Sequence, residues 1–370
     1  MDIPQLNIGV IGATGYIGTP YRKEIRHCHN ANIVALCARR QALLEAAGQE
    51  DGATCLTHDW REVVQHPEVN LVIVATPDAL HHEAVLACAV AGKHVLCEKP
   101  VAINATQARE MLDAYQAKPE LAHFVPFWVR YADGMVKAKE VYQAGTLGEI
   151  RGAVYRWHNP RPDGMPYTWR DDPNLSSAGS IADVGSHAYD TVRWILGCEA
   201  KRVLTHADTI SPRADAGEVN LEEAIALGNS QSDSQAPARQ GGTVDYASIA
   251  WEFTNGAVGS LILSHAPYFR KGLTPELELH GTKASLAVDR VSGDVTLVKP
   301  GGGPEVLAHL PDLRTANRFE DYVFPAIRSV IANNAINDHP NLDDGWRVQQ
   351  FTDAAAASAR AGGWAVLTSS

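Results

Sequence analysis

The stretch Leu6-Asn7-Ile8-Gly9-Val10-Ile11-Gly12-Ala13-Thr14-Gly15-Tyr16-Ile17-Gly18 sets how the chain begins. A short apolar run ends directly in glycines spaced GxxGxxG. Glycine there permits a tight turn and lets backbone N–H groups approach a pyrophosphate at the N-terminus of the following helix. Gly12, Ala13, Thr14, Gly15, Tyr16 and Ile17 are therefore candidate dinucleotide contacts. The competing reading is a glycine-rich connection that holds no ligand.

Working outward, short apolar runs at 6–11, 33–38, 71–75, 94–97 and 122–125 alternate with helical patterns. Such alternation predicts buried parallel strands with crossover helices, a doubly wound α/β domain over residues 1–126. Asp59 with Glu62 and Asn104 with Gln107 read as capping boxes, and Gly92 closes a helix. Beyond 126 the pattern changes to a helix near 135–144 and period-two segments at 150–158 and 244–253. Residues 127–370 are thus expected to form a second, α+β domain. Asn255-Gly256 lies between two strand-like runs and predicts an antiparallel hairpin with positive φ at both turn positions. The stretch 211–242, rich in Ser, Gln, Ala and Gly, reads as a long excursion with a short helix around 221–227. Residues 346–360 predict an alanine-rich helix stopped by Gly362 and Gly363.

A chain of 370 residues with 45% hydrophobic and 20% charged residues is ordinary for a folded two-domain protein. Its net charge of -11 argues against nucleic acid as a partner, which demands clustered cations. Six scattered cysteines without CxxC pairs read as reduced thiols, and no run of apolar residues is long enough to span a membrane. The opening residues lack a basic and then apolar leader, so the expected location is the cytoplasm. The 15 histidines include no HExxH-like ligand set, and no metal is expected.

Three places carry chemistry. At the end of the second predicted strand, where an acid commonly binds the ribose 2′-hydroxyl, stand Cys37-Ala38-Arg39-Arg40. Arg39 and Arg40 suit a 2′-phosphate, which favours NADP with NAD still possible; two solvated arginines are the alternative. Lys99 follows the strand at 94–97, at the carboxyl end where open α/β sheets bind ligands, although a lysine there is usually just solvated. Asp183 and His187, four apart, share one helical face: an acid/base pair in one reading, a cap and a core histidine in the other.

Taken together these residues resemble the Gfo/Idh/MocA family, that of glucose-fructose oxidoreductase and inositol dehydrogenase. The matching pieces are the glycine turn, Thr76-Pro77 with His81, Ala91-Gly92-Lys93-His94-Val95 running to Glu98-Lys99-Pro100, the segment from Asp183 to His187, and Asp343-Asp344-Gly345-Trp346-Arg347. The resemblance implies a Rossmann domain, a C-terminal domain with a largely antiparallel sheet, and a substrate cleft between them. It implies catalytic roles for Lys99, Asp183 and His187, and nicotinamide-side positions for Thr76, Pro77, His81, Glu98 and Lys99. Trp169-Arg170 resembles the segment that closes over the nicotinamide in many relatives. The expected reaction is hydride transfer between NAD(P) and a sugar, cyclitol or related polyol, by a homodimer or homotetramer. Lys99, Asp183 and His187, with Arg130 and His158 as hydrogen-bonding groups, are candidate substrate contacts.

Two departures stand out. The glycine turn has one residue more than the family's GxGxxG, and Phe127-Trp128 stand where many relatives have asparagine. Two rival readings remain: a silent dinucleotide-sensing regulator of the same fold, and an acyl-phosphate or semialdehyde reductase with a cysteine nucleophile. Joint retention of Lys99, Asp183 and His187 speaks against the first. No cysteine in the pocket region of the second domain speaks against the other.

Overall fold

A computed structural model describes residues 4–214, 219–230, 238–311, 316–333 and 338–367. The chain divides into two units, one of Met1–Pro126, Asn220–Glu222 and Thr315–Trp346, the other of Phe127–Val219, Glu223–Arg314 and Arg347–Ser370.

In the first unit six parallel strands run in the order β3-β2-β1-β4-β5-β6: β1 Leu6–Ile11, β2 Ala31–Cys37, β3 Cys55–Thr57, β4 Leu71–Val74, β5 His94–Cys97 and β6 His123–Phe124. The four residues of β4 are all buried, as a central strand covered on both faces requires. Helices α1 Gly18–Ile25, α2 Gln41–Asp51, α3 Trp60–Gln65, α4 His81–Val90 and α5 Ala105–Gln116 join the strands. Asp59 and Asn104 cap α3 and α5, their side chains accepting from Arg61 N and Gln107 N, but the box expected with Glu62 is replaced by a bond from Asp59 N to Thr57 Oγ1; Gly92 has φ +69° just past α4. Strand order reverses at β1, where β2 lies on one side and β4 on the other, which puts the glycine turn at the topological switch point. The return of 315–346 packs here too: Phe319 meets the Tyr21 ring edge-on at 5.0 Å, and Arg318 Nε donates to Glu24 Oε1 at 2.9 Å.

The second unit is built on a nine-stranded sheet. In chain order its strands are β7 Ile150–His158, β8 Ala200–Asp208, β11 Tyr246–Phe253, β12 Val258–Ser264, β13 Leu277–Gly281, β14 Ser285–Asp289, β15 Asp294–Val298, β16 Pro304–His309 and β17 Ala365–Val366. The short pair β9 Arg213–Ala214 and β10 Ala238–Arg239 stands apart from it. Every pairing in the large sheet is antiparallel except β7 with β12. Further helices in the chain are α6 Asp133–Gln143, α7 Ser186–Leu196, α8 Leu221–Ser230, α9 Phe324–Ile331 and α10 Leu342–Ala361. The helix expected from 346 thus starts four residues earlier, while Gly362 at φ +69° ends it.

On the core side Tyr189 of α7 stacks on Phe351 of α10 at 3.8 Å, and both turn ring edges to Trp251 of β11. Gly259 pairs with Trp251 across the strands, and a Cβ on it would lie 2.0 Å from the indole, so only glycine fits beneath that ring. The β11–β12 hairpin forms, with a different turn from the one expected. Gly256 N donates to Phe253 O, Gly256 alone takes positive φ (+85°), and the Asn255 side chain accepts from Ala257 N. This is a type I turn followed by a glycine bulge, a loop of three residues. The excursion contains α8, as expected; residues 215–218 and 231–237 of it lie outside the described residues.

Candidate active site

At the glycine turn the backbone is crowded to the point that side chains are excluded. Gly12 has φ +85°, and a Cβ there would lie 2.3 Å from Ala75 O; one on Gly18 would lie 2.2 Å from Gly12 O. Gly12 N and Ala13 N both donate to Cys37 O, tying the turn to β2. The N-cap of α1 is Ile17, whose side chain offers no acceptor to the first-turn N–H groups. Thr19 N is spent on Gly15 O and Pro20 has no N–H, so it is the close-approaching glycine backbone and the helix dipole that suit a bridging phosphate. Arg39 and Arg40 are exposed beyond the end of β2. The cradle therefore fits a dinucleotide.

Of the expected nicotinamide-side residues, several are internal struts. His81 is fully buried, with ring nitrogens 3.0 Å from Pro100 O and 2.8 Å from Thr76 O, so it braces the turn after β4 against the turn after β5. Glu98 is buried too. It accepts from the Tyr21 hydroxyl and from Lys99 N, and burial pushes its carboxyl up while the Lys99 charge and the Tyr21 bond oppose that rise. Lys99 is half-exposed at the carboxyl end of β5, beside half-exposed Thr76 and Pro77.

In the second unit Asp183 and His187 emerge together. Between Ile181 and Arg193 they alone are not buried. Residues Ile181–Gly185 form a π-helical turn leading into α7, a widened geometry frequent at functional sites. Gly185 lets that turn approach β12, since a Cβ there would already lie 3.0 Å from Leu263 Cδ2. The His187 ring stacks on Trp157 at 5.5 Å and meets the edge of Phe127 at 6.0 Å. Its Nδ1 is buried, while the residue as a whole is only half-buried. Asp183 faces two guanidiniums and a buried imidazole: Arg161 Nη2 donates to its Oδ2 at 3.0 Å, Arg170 Nε lies at 3.7 Å and His265 Nε2 at 3.4 Å. Burial pulls the Arg161 guanidinium down to about 10 against the pull of Asp183, so it stays charged at neutral pH. Burial and the neighbouring guanidiniums push His265 well below the usual imidazole range, so that ring is neutral.

Two predicted lining residues sit elsewhere. Arg130 is buried in a two-pronged pair with Asp190, Nε to Oδ2 at 2.7 Å and Nη2 to Oδ1 at 2.6 Å, one turn beyond His187 on α7. Its fork anchors the helix and is committed away from a substrate hydroxyl. Removing one partner of a buried pair strands the other, at a cost of about 3–5 kcal/mol. Arg130→Met should therefore lower the melting temperature sharply in a calorimetric scan; an unchanged transition would refute the anchor. His158 follows Trp157 by one residue on β7, so strand alternation sends it to the opposite sheet face, where it stacks on Phe269 at 5.1 Å. Trp157, outside the expected set, touches His187, and period two along β7 is the signal that points to it. Trp169 and Arg170 lie in a short 3₁₀ turn, the Arg170 guanidinium 4.4 Å over the Trp169 ring. Arg161 and His265, absent from the expected set, join Asp183 through contacts far apart in sequence.

The six cysteines are free thiols, and burial pushes Cys28 up to about 12 and Cys37 up to about 11. Thiols so raised are poor nucleophiles at neutral pH. Among the described residues no helix is long and apolar enough to cross a membrane, and no three His, Cys, Asp or Glu side chains are grouped to hold a metal ion.

Residues 6–124 match the profile of the oxidoreductase family with an NAD-binding Rossmann fold, and residues 135–287 match the GFO/IDH/MocA C-terminal domain. Levoglucosan dehydrogenase of Pseudarthrobacter phenanthrenivorans is 29% identical over 304 residues, 76% of this chain and 73% of that protein. Myo-inositol 2-dehydrogenase of Thermotoga maritima is 28% identical over 286 residues, 77% of this chain and 76% of that protein. The solved structure of a levoglucosan dehydrogenase in complex with NADH and L-sorbose superposes with a TM-score of 0.82 at 23% identity, covering 98% of this chain and 99% of that one. With the switch-point glycine turn, the Glu98-Lys99-Pro100 turn and the Asp183–His187 segment each in its place, the chain belongs to the Gfo/Idh/MocA family of oxidoreductases.

Proposed function

We propose that this oxidoreductase transfers a hydride between NAD(P) and a carbinol carbon of a sugar, cyclitol or related polyhydroxylated compound. The emergence of Asp183 and His187, alone, from an otherwise buried run carries the reading. Relatives named as levoglucosan and inositol dehydrogenases support the substrate class. In oxidation, His187 takes the hydroxyl proton at Nε2 as the carbon–oxygen double bond forms. The Lys99 ammonium stabilises negative charge on that oxygen. Asp183, held by Arg161 and Arg170, favours the imidazolium that results. The dinucleotide supplies the hydride acceptor in oxidation and the donor in reduction. Absorbance at 340 nm with a panel of sugars and cyclitols, under both NAD and NADP, tests the proposal; silence across the panel with both cofactors counts against it.

For the cofactor we favour NADP, supported by two exposed arginines and no acid at the end of β2. NAD remains the alternative, since the levoglucosan dehydrogenase complexes hold NADH. A charge-assisted bond is worth about 1.5–3 kcal/mol, so Arg39→Asp should weaken NADP relative to NAD by roughly ten- to a hundredfold. Fluorescence titration of both cofactors reads this directly. An unchanged ratio would assign the arginines to solvent. A homodimer or homotetramer acting in the cytoplasm completes the proposal, on family resemblance and on six free thiols without CxxC pairs.

A further inference from the structure

The excursion between β8 and β11 packs onto the segment 159–179 that presents Arg170 towards Asp183. Arg213, 2% exposed, donates from Nε to Asp171 Oδ1 at 2.9 Å, and its Nη2 lies 3.6 Å from Asp245 Oδ2. The other Asp171 oxygen accepts from both Thr168 N at 2.9 Å and Thr168 Oγ1 at 3.0 Å, and closes the 3₁₀ turn that carries Trp169 and Arg170. Asp245 accepts from Ile210 N at 2.8 Å and Ser211 N at 3.0 Å, which fixes the backbone that delivers Arg213.

The far end of the excursion grips the same turn. Gly242 N donates to Asp171 O at 2.8 Å and Thr243 Oγ1 to Arg170 O at 2.7 Å. A Cβ on Gly242 would lie 2.6 Å from Pro173 Cδ, so the two backbones touch without room for a side chain. Tyr167 N donates to Ala214 O and Ala214 N to Met165 O, a ladder beside Arg213. Arg170 and Asp183 are half-exposed while the groups that hold this turn, Arg213, Asp171 and Asp245, are buried. A long irregular segment is mobile unless so held, and a misplacement of about 1 Å at a reacting site costs on the order of a hundredfold.

We propose that Arg213 is a positioning residue: through Asp171 it holds Arg170 against Asp183, and the excursion exists in part to supply it. The inference rests on the dehydrogenase reading above. Arg213→Lys keeps the cation and loses the fork. Thr243→Val removes only the bond to the Arg170 carbonyl and reads the same link if Arg213→Lys fails to fold. In either variant, amide exchange at Tyr167, Thr168 and Asp171 should quicken by about tenfold or more and kcat should fall by about ten- to a hundredfold. Dinucleotide affinity should stay within about twofold, because the glycine turn belongs to the other unit. A folded Arg213→Lys variant that turns over at the wild-type rate overturns the role of Arg213 whether or not exchange quickens, and a Thr243→Val variant whose exchange quickens without loss of turnover overturns the link between the turn and turnover on which that role rests. A wild-type protein that reduces no dinucleotide with any polyol overturns the dehydrogenase reading instead, and the exchange rates then still decide whether Arg213 holds the turn.

Discussion

His187→Asn is expected to lower kcat by about 10² to 10⁴, the usual span for a positioned acid/base group, with dinucleotide affinity little changed. Asparagine keeps a polar side chain of similar reach and cannot take the proton. The packing around the ring makes this a clean substitution. Trp157 and Phe127 bound the imidazole, and α7 stays anchored one turn on by Arg130 and Asp190. The sign of the pH dependence follows from the role. Oxidation needs the neutral ring, so the wild-type rate should rise with pH as the ring loses its proton. The variant should lose that limb. A profile that keeps it with near wild-type turnover would move the proton to another group, with Lys99 next in line.

Lys99→Met should cost at least about 10² to 10³ in kcat, the range for removing one donor to a developing oxyanion. The local structure predicts that folding survives. The contact that secures the turn after β5 runs from the Lys99 backbone N–H to the Glu98 carboxylate at 3.2 Å, and the substitution leaves it intact. The Tyr21 hydroxyl and His81 brace the same turn from other elements. A circular-dichroism melt beside a cofactor titration separates the outcomes: a lost transition makes Lys99 structural, a kept one with weak turnover makes it catalytic.

Much of this architecture was legible in the chain because local rules and tertiary structure agree there. β1 and its glycine turn, the β7 span Ile150–His158 and the α4 stop at Gly92 follow from apolar period and glycine chemistry. β3 escaped notice because three residues, Cys55–Thr57, carry no period. The hairpin was placed by Asn255-Gly256, yet its turn type depends on register, which sequence spacing leaves open. The return of 315–346 to the first unit depends on contacts such as Arg318 with Glu24, nearly three hundred positions apart, which no local pattern encodes. The same limit applied at the site. Lys99, Asp183 and His187 could be named from motif, whereas the setting of Asp183 among Arg161, Arg170 and His265 is assembled from the 159–179 segment and the residue after β12. Hydrogen-bonding character alone does not reveal that Arg130 pairs with Asp190 or that His158 stacks on Phe269.

The most direct test of the central claim is a single-turnover experiment at 340 nm. Wild type, Lys99→Met and His187→Asn are each preloaded with oxidised dinucleotide and mixed with the best polyol from the panel. The account predicts a burst of reduced dinucleotide in the wild type and, in both variants, dinucleotide bound within about twofold of the wild-type affinity but reduced at least about a hundredfold more slowly. A burst of wild-type rate in either variant would contradict it.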